Sequence, residues 1–90
     1  MNLSDKVAIP AQVMARTVGA ETVILDLASG MYFGLDPIGA RIWRLLGEGK
    51  TLAEVCDAMQ ATHDVPREKI ELDVVELVEA LQAQRLVAIA

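Results

Sequence analysis

The sequence has few of the side chains on which catalysis and metal binding usually depend. It contains a single histidine, His63, and a single cysteine, Cys56. A lone cysteine forms no internal disulfide and no cysteine metal cluster. Because no basic cluster near Cys56 would lower its pKa, we expect a buried structural thiol. His63 falls between two predicted helices, where a solvated loop position is expected. We therefore predict that the protein is not an enzyme and uses neither a cofactor nor a metal.

Long apolar runs and an excess of basic residues are also lacking. No run approaches the roughly 18 apolar residues that span a bilayer, and no signal-peptide pattern follows Lys6. These absences predict a cytoplasmic protein without a membrane partner. The net charge is −5, and residues 47–90 carry nine acidic and four basic residues. A surface of this sign repels phosphates, which argues against nucleic acid as a partner.

Aromatic residues are scarce as well, and the three present, Tyr32, Phe33 and Trp43, fall within twelve positions of one another. With 53% hydrophobic residues among 90, the core must be mainly aliphatic. A chain of this length is expected to form a single domain over residues 1–90. Residues 1–10 are expected to be flexible or extended, with a weakly held strand at 6–9.

Alternating apolar residues predict three strands in the first third of the chain, at 13–18, 21–27 and 31–35. In the second of these, Val23, Leu25 and Leu27 share one face, and Thr22, Ile24 and Asp26 share the other. Short turns separate the three segments, which predicts an antiparallel meander.

Three helices follow, each with a start signal. Asp36-Pro37 starts the first, which runs to about 46 with Ile38 among its inward residues. Thr51 and Glu54 form a capping box for the second, which ends near 62. Pro66 starts the third, which ends near 84. Apolar residues 86–89 are expected to pack back on the core. The fold class is therefore α+β, a winged-helix-turn-helix-like order with a three-stranded antiparallel sheet followed by three α-helices.

The third strand gives the strongest functional signal. In a meander it is an edge, and edges are normally protected by lysine, proline or inward charges. Residues 31–35 contain none of these. Its aromatic side chains offer apolar contact, and Gly34 allows another backbone to come close. We predict that another polypeptide pairs with this edge. Two alternatives stay open: that helix three covers the edge, or that a second copy does so in a homodimer formed by strand exchange.

Acidic residues dominate the third helix, which weakens the alternative of a winged-helix DNA-binding regulator. The segment 67–85 carries five acidic and three basic residues, so it would repel a phosphate backbone in the recognition position. Four of the acids are expected on a solvated face. Asp73 instead lies beside the inward stripe, about 60° from Ile70 on a helical wheel. It is a candidate acceptor at the rim of a groove.

The run from Met31 to Trp43, with the sequence MYFGLDPIGARIW, resembles the strand-to-helix signature of PqqD-like proteins. The similarity continues through Gly49, the segment 51–55, Asp73-Val74, Leu77 and Leu81 to Leu86-Val87. PqqD-like proteins are peptide chaperones, or precursor-recognition elements, for ribosomally made and modified peptides. The short form with Tyr-Phe-Gly-Leu before the first helix is most similar to the lasso-peptide branch.

The resemblance implies a function and a site. The leader region of a precursor peptide would pair with the third strand and lie in a groove against helix three. The bound precursor would be presented to a leader peptidase, a cyclase or a radical SAM modifying enzyme. A chaperone for a radical SAM enzyme in quinone-cofactor biosynthesis is the alternative within the family. The implied peptide-binding residues are Met31, Tyr32, Phe33, Gly34, Leu35, Ile70, Asp73, Val74 and Leu77.

Overall fold

A computed structural model describes all residues, 1–90, and shows an α+β fold built on two sheets. The elements in chain order are β1 (Val7–Ala8), β2 (Val13–Val18), β3 (Glu21–Asp26), β4 (Tyr32–Leu35), α1 (Pro37–Gly47), α2 (Leu52–Thr62), α3 (Arg67–Ala83) and β5 (Ala88–Ile89). Strands β2, β3 and β4 form the antiparallel meander in that order. The predicted three strands and three helices are therefore confirmed, with ends that differ by one or two residues.

A second, two-stranded sheet joins the two ends of the chain. Val7 pairs with Ile89 and Ala8 with Ala88, antiparallel. The backbone N–H of Ala90 also donates to the carbonyl of Lys6 at 2.8 Å. The N-terminal segment thus has an extended piece at β1, and Val7 is buried in the main core.

Side-chain caps start the first two helices as their sequences predict. The Asp36 carboxylate accepts a hydrogen bond from the Gly39 N–H at 2.7 Å, and Pro37 occupies the first turn. Thr51 and Glu54 bond reciprocally, at 3.1 Å and 2.8 Å, as a capping box. These bonds satisfy N–H groups that have no partner within the helix. The Thr51 N–H lowers the pKa of Glu54, because it stabilises the carboxylate.

The main core lies between the inner face of the meander and the three helices. It contains the aliphatic inward residues of α2 and α3 together with Cys56, which is fully buried. Burial raises the pKa of this thiol, consistent with a structural role. The prediction that Ile38 points inward is wrong: its side chain is 42% exposed. Leu77 is only partly buried. No helix combines the length and hydropathy that a bilayer span requires.

The meander buries its less apolar face. In β3, Thr22, Ile24 and Asp26 point into the core, whereas Val23 and Leu25 point outward. Asp26 is 9% exposed because its carboxylate forms the turn to β4, accepting from the Ala28 N–H at 3.0 Å and the Ser29 hydroxyl at 3.1 Å. The "outer face" of the meander, defined by Met14, Arg16, Val18, Glu21, Val23, Leu25, Tyr32 and Gly34, is uncovered.

Trp43 anchors α1 in the core, where it is 8% exposed. Its replacement by alanine should lower the free energy of unfolding by about 3–5 kcal/mol, because a large buried side chain leaves a cavity. Urea denaturation of Trp43→Ala and of Arg44→Ala, its exposed neighbour on the same helix, tests this. Equal midpoints for Trp43→Ala and the parent protein would contradict the anchoring role.

Candidate peptide-binding edge and groove

Strand β4 is one edge of the meander, and its hydrogen-bonding phase is fixed by β3. The Asp26 N–H donates to the Met31 carbonyl at 2.9 Å. Bonded and non-bonded pairs alternate along an antiparallel ladder. Ile24 with Phe33 and Thr22 with Leu35 are therefore bonded pairs, whereas Leu25 with Tyr32 and Val23 with Gly34 are not.

The vacant backbone groups of the edge therefore belong to Tyr32 and Gly34. Their N–H and C=O groups point away from β3 and toward the free side of β4. The backbone groups of Phe33 and Leu35 point to β3 and are already paired. An additional antiparallel strand would thus have two donors and two acceptors available within the observed strand.

The side chains of β4 alternate between the two faces of the sheet. Phe33 and Leu35 share the inner face with Ile24, and Leu35 is 4% exposed. Tyr32 lies on the outer face and is 75% exposed. Phe33 is half-buried, and it lines a narrow pocket that joins β4 to the end of α3. The "β4 pocket" consists of Met31, Tyr32, Phe33, Gln84 and Leu86.

Beyond the other end of β4, two hollows lie between α1 and α3. The "α1–α3 cavity" has a volume of about 170 Å³. Its lining is mostly apolar: Ile38, Ile42, Met59, Val65, Ile70 and Val74, with His63, Lys69 and Asp73 as polar members. The "rim hollow" is shallower and more polar, lined by Asp36, Ile38, Gly39, Ile42, Asp73, Glu76 and Leu77. An extended chain that runs antiparallel to β4 would come from these hollows and leave past the β4 pocket.

The predicted site residues are therefore distributed along a track rather than gathered in one pocket. Ile70, Asp73 and Val74 line the α1–α3 cavity, and Leu77 lines the rim hollow. Met31, Tyr32 and Phe33 line the β4 pocket. Leu35 is in the core, and Gly34 lies on the outer face. Their role in binding stays a prediction.

Sequence reasoning missed several lining residues. The sequence predicts Ile38 as an inward residue of α1, yet Ile38 lines both hollows together with Ile42. Gln84 and Leu86 were outside the expected groove. Ile38 directly follows Pro37 in the first turn of α1. This position at a helix end is the sequence feature that favours a place beside a hollow over one in the core.

Asp73 is paired in the free protein. The Lys69 ammonium donates to its carboxylate at 2.7 Å, and this bond raises the pKa of Lys69. Lys69 and Asp73 have 59% and 39% of their side chains exposed, so water screens the pair and its net contribution is small. A hydrogen-bond donor of the guest would therefore replace Lys69 at the Asp73 carboxylate, or share that carboxylate with it, at little cost in free energy. No group of three or more metal-ligating side chains is found together.

A family model described as "Coenzyme PQQ synthesis protein D (PqqD)" matches residues 21–87. The match covers β3, β4, the three helices and the connection to β5.

The chain belongs to the PqqD family.

Two solved structures of leader-peptide complexes are similar to this PqqD-family chain. One is TbiB1 in complex with the TbiA(beta) leader peptide, with a TM-score of 0.83 and 40% sequence identity over 88% of this chain and 92% of that one. The other is lasso peptide synthetase B1 complexed with the leader peptide. It has a TM-score of 0.85 and 24% identity over 92% and 98% of the two chains, which shows a shared fold. A search of curated protein sequences gives no significant match.

The α3 wall of this PqqD-family domain is fixed to α2 by Arg67. Its guanidinium donates to Glu71 at 2.8 Å, and also to Asp57, to Gln60 and to the Ala53 carbonyl. The bonds to Glu71 and Asp57 raise the pKa of Arg67, because they stabilise the charged guanidinium. Because Arg67 begins α3 and has a proline rather than a side-chain cap before it, this clamp holds the end of the helix.

Replacing Arg67 with methionine should speed hydrogen exchange in the first turn of α3, at Lys69 and Ile70, whose N–H groups donate to the Pro66 carbonyl, because the helix end loses its attachment to α2. Amide exchange measured by NMR tests this, with Arg44→Met as the matched surface control. Exchange at the parent rate in Arg67→Met would show that packing alone holds the helix end.

Proposed function

We propose that this PqqD-family protein binds the leader segment of a ribosomally synthesised precursor peptide by adding it as a strand to β4. The vacant donors and acceptors of Tyr32 and Gly34 are the observation that carries the proposal. They lie in the third strand of the meander, beside an apolar pocket, in a domain 40% identical to a protein solved with a leader peptide. Leader binding in the biosynthesis of modified peptides is the function that these observations support best.

The geometry supplies a physical basis for both affinity and choice. About four backbone hydrogen bonds at Tyr32 and Gly34 would contribute roughly 0.5–1.5 kcal/mol each, whatever the guest sequence. Discrimination comes from side chains, since a guest residue opposite Phe33 points to the inner face and toward the β4 pocket. Guest residues further toward the guest N-terminus reach the rim hollow and the α1–α3 cavity. We assign the inward contacts to Phe33, Leu77 and Ile70, with Asp73 as a rim acceptor. Val74 is fully buried and would form the floor of the α1–α3 cavity.

We infer further that the protein is a non-enzymatic carrier that works in the cytoplasm, where ribosomal precursors are made. The partner enzyme would be a leader peptidase, a cyclase or a radical SAM modifying enzyme. Leader binding is supported by the 40% identical protein that was solved with a leader peptide, and the lasso-peptide assignment follows from the resemblance of the segment Tyr-Phe-Gly-Leu before α1. The outer face of the meander is an exposed apolar surface of the kind that partner proteins cover, so a carrier could hold its guest and its enzyme together.

The strand-addition mode is tested by removing one vacant donor. Tyr32→Pro should weaken binding of a fluorescein-labelled TbiA(beta) leader peptide about two- to tenfold, since proline has no N–H to offer the guest. Tyr32→Thr is the matched control, because it removes the ring and keeps the N–H. Fluorescence anisotropy gives both affinities.

A second variant, Phe33→Lys, tests the inner face by placing an ammonium in the β4 pocket. It should reduce leader affinity more strongly than Tyr32→Pro, because binding would then bury a charge against apolar surface. If Tyr32→Pro and Phe33→Lys both bind the peptide like the parent protein, strand addition to β4 is wrong.

The alternative of a DNA-binding regulator gives the opposite result in a mobility-shift assay. The acidic α3 should leave random duplex DNA unshifted even at low salt, where nonspecific electrostatic binding is strongest. A shift that weakens steeply as salt rises would favour the regulator instead.

A further inference from the structure

Neither the backbone conformation nor the packing of the free protein requires a glycine at position 34. Its φ is not among the positive values, which occur at Gly19, Gly30 and Gly49. A Cβ built on Gly34 would meet no atom within 4 Å. Gly39 differs, because a Cβ there would lie 3.3 Å from both the Asp36 carboxylate and the Leu35 side chain. A glycine inside a strand costs stability, so an explanation outside the free protein is needed for Gly34.

The position of Gly34 shows where an added side chain would matter. Gly34 pairs with Val23 and shares the outer face with Leu25 and Tyr32. Val23 and Leu25 are half-buried, whereas the Tyr32 ring is exposed. The absent side chain therefore leaves open space on the outer face, between Val23 and the free edge of β4, and this space is called the slot.

An added strand would place one of its own side chains at the mouth of this slot. Because Gly34 has its N–H and C=O directed to the free edge, the guest residue opposite forms a hydrogen-bonded pair with it. Directly paired residues have side chains on the same face, so this guest side chain lies on the outer face. Neighbouring strands are about 4.8 Å apart, and only a large side chain spans Gly34 to touch Val23.

We propose that Gly34 is the floor of a side-chain subsite on the outer face, which receives a large apolar or aromatic residue of the guest peptide. This rests on the proposed function, since it needs a guest strand on β4. An aromatic side chain laid across a glycine of the neighbouring strand is a known stabilising contact in sheets. The guest is thus selected on both faces: by the inner pocket opposite Phe33 and by the outer slot opposite Gly34.

The subsite predicts that stability and binding change in opposite directions. Gly34→Val should raise the melting temperature, because valine favours strands and meets no clash. The same change should lower the affinity for the TbiA(beta) leader peptide about fivefold, because the valine fills the slot that a guest side chain needs. Gly34→Ala should have a melting temperature and a leader affinity between those of the parent protein and Gly34→Val. Arg16→Val is the matched control: it adds a valine to the same face on β2, away from the guest edge, and should leave affinity unchanged.

A peptide scan identifies the guest residue. Each residue of the leader peptide is changed to alanine, and the affinity for the parent and for Gly34→Val is measured by anisotropy. Alanine in place of one large apolar residue should lower the affinity for the parent about fivefold and the affinity for Gly34→Val hardly at all. Alanine in place of an inward-facing residue should lower both affinities equally.

The outcomes separate this subsite from the proposed function. If Gly34→Val binds the leader peptide as tightly as the parent does, the subsite is wrong and strand addition stands. The same holds if the peptide scan finds no residue coupled to position 34. Failure of the parent protein to bind any leader peptide, TbiA(beta) included, overturns both. A Gly34→Val protein that melts below the parent also overturns the subsite, because the glycine would then serve the fold.

Discussion

Two residues of β4, Tyr32 and Gly34, have backbone N–H and C=O groups that are not paired with β3, and the proposed binding depends on these free groups. Exposed strand edges usually carry a lysine, a proline or a bulge that discourages pairing. This edge carries none, and its neighbouring side chains are apolar. An edge of this kind either aggregates or is kept for a guest. The net charge of −5 helps to keep copies of the chain apart, while leaving the edge itself neutral.

The fold holds both sides of the predicted binding surface, which extends from the α1–α3 cavity along β4 to the β4 pocket, in place before a guest binds. On one side, the Asp36 cap fixes the passage from β4 into α1, and the space at Gly39 is too small for an unstrained side chain. On the other, the Arg67 clamp attaches the start of α3 to α2. A guest strand would therefore lose its own conformational freedom on binding, but the protein would lose little. This preorganisation is what allows a short segment to bind usefully.

The alternation of a strand divides recognition between two surfaces. Inward guest residues would meet the helices, where the α1–α3 cavity is mostly apolar and the rim hollow carries acidic residues, Asp73 among them. Outward guest residues would meet Tyr32 and the slot above Gly34, next to the half-buried Val23 and Leu25. The second surface is also the one open to a partner protein. A bound leader would thereby extend the outer face by one strand, so that a partner enzyme would contact guest and carrier together.

The sequence by itself determined the elements and, to within one or two residues, their ends, because those depend on neighbours within a few residues. The Asp36-Pro37 start, the Thr51–Glu54 capping box and the alternation at 31–35 each contain their own physical cause. The family resemblance supplied the predicted groove and the residues predicted to line it. By contrast, which face of β3 is buried could not be read from its apolar count. Asp26 points inward because its carboxylate forms the turn to β4, and this places Val23 and Leu25 outside.

Only the tertiary structure decided features that join distant residues. The pairing of β1 with β5 joins segments at opposite ends of the chain, and no local pattern encodes it. Ile38 has a helical position that suits a core, yet it lies at the end of α1, where α3 stands back and leaves a cavity. The phase of the β4 edge, with Tyr32 and Gly34 vacant and Phe33 and Leu35 paired, follows from the register with β3. Register is set by cross-strand contacts and turn geometry, which exist only once the sheet has formed.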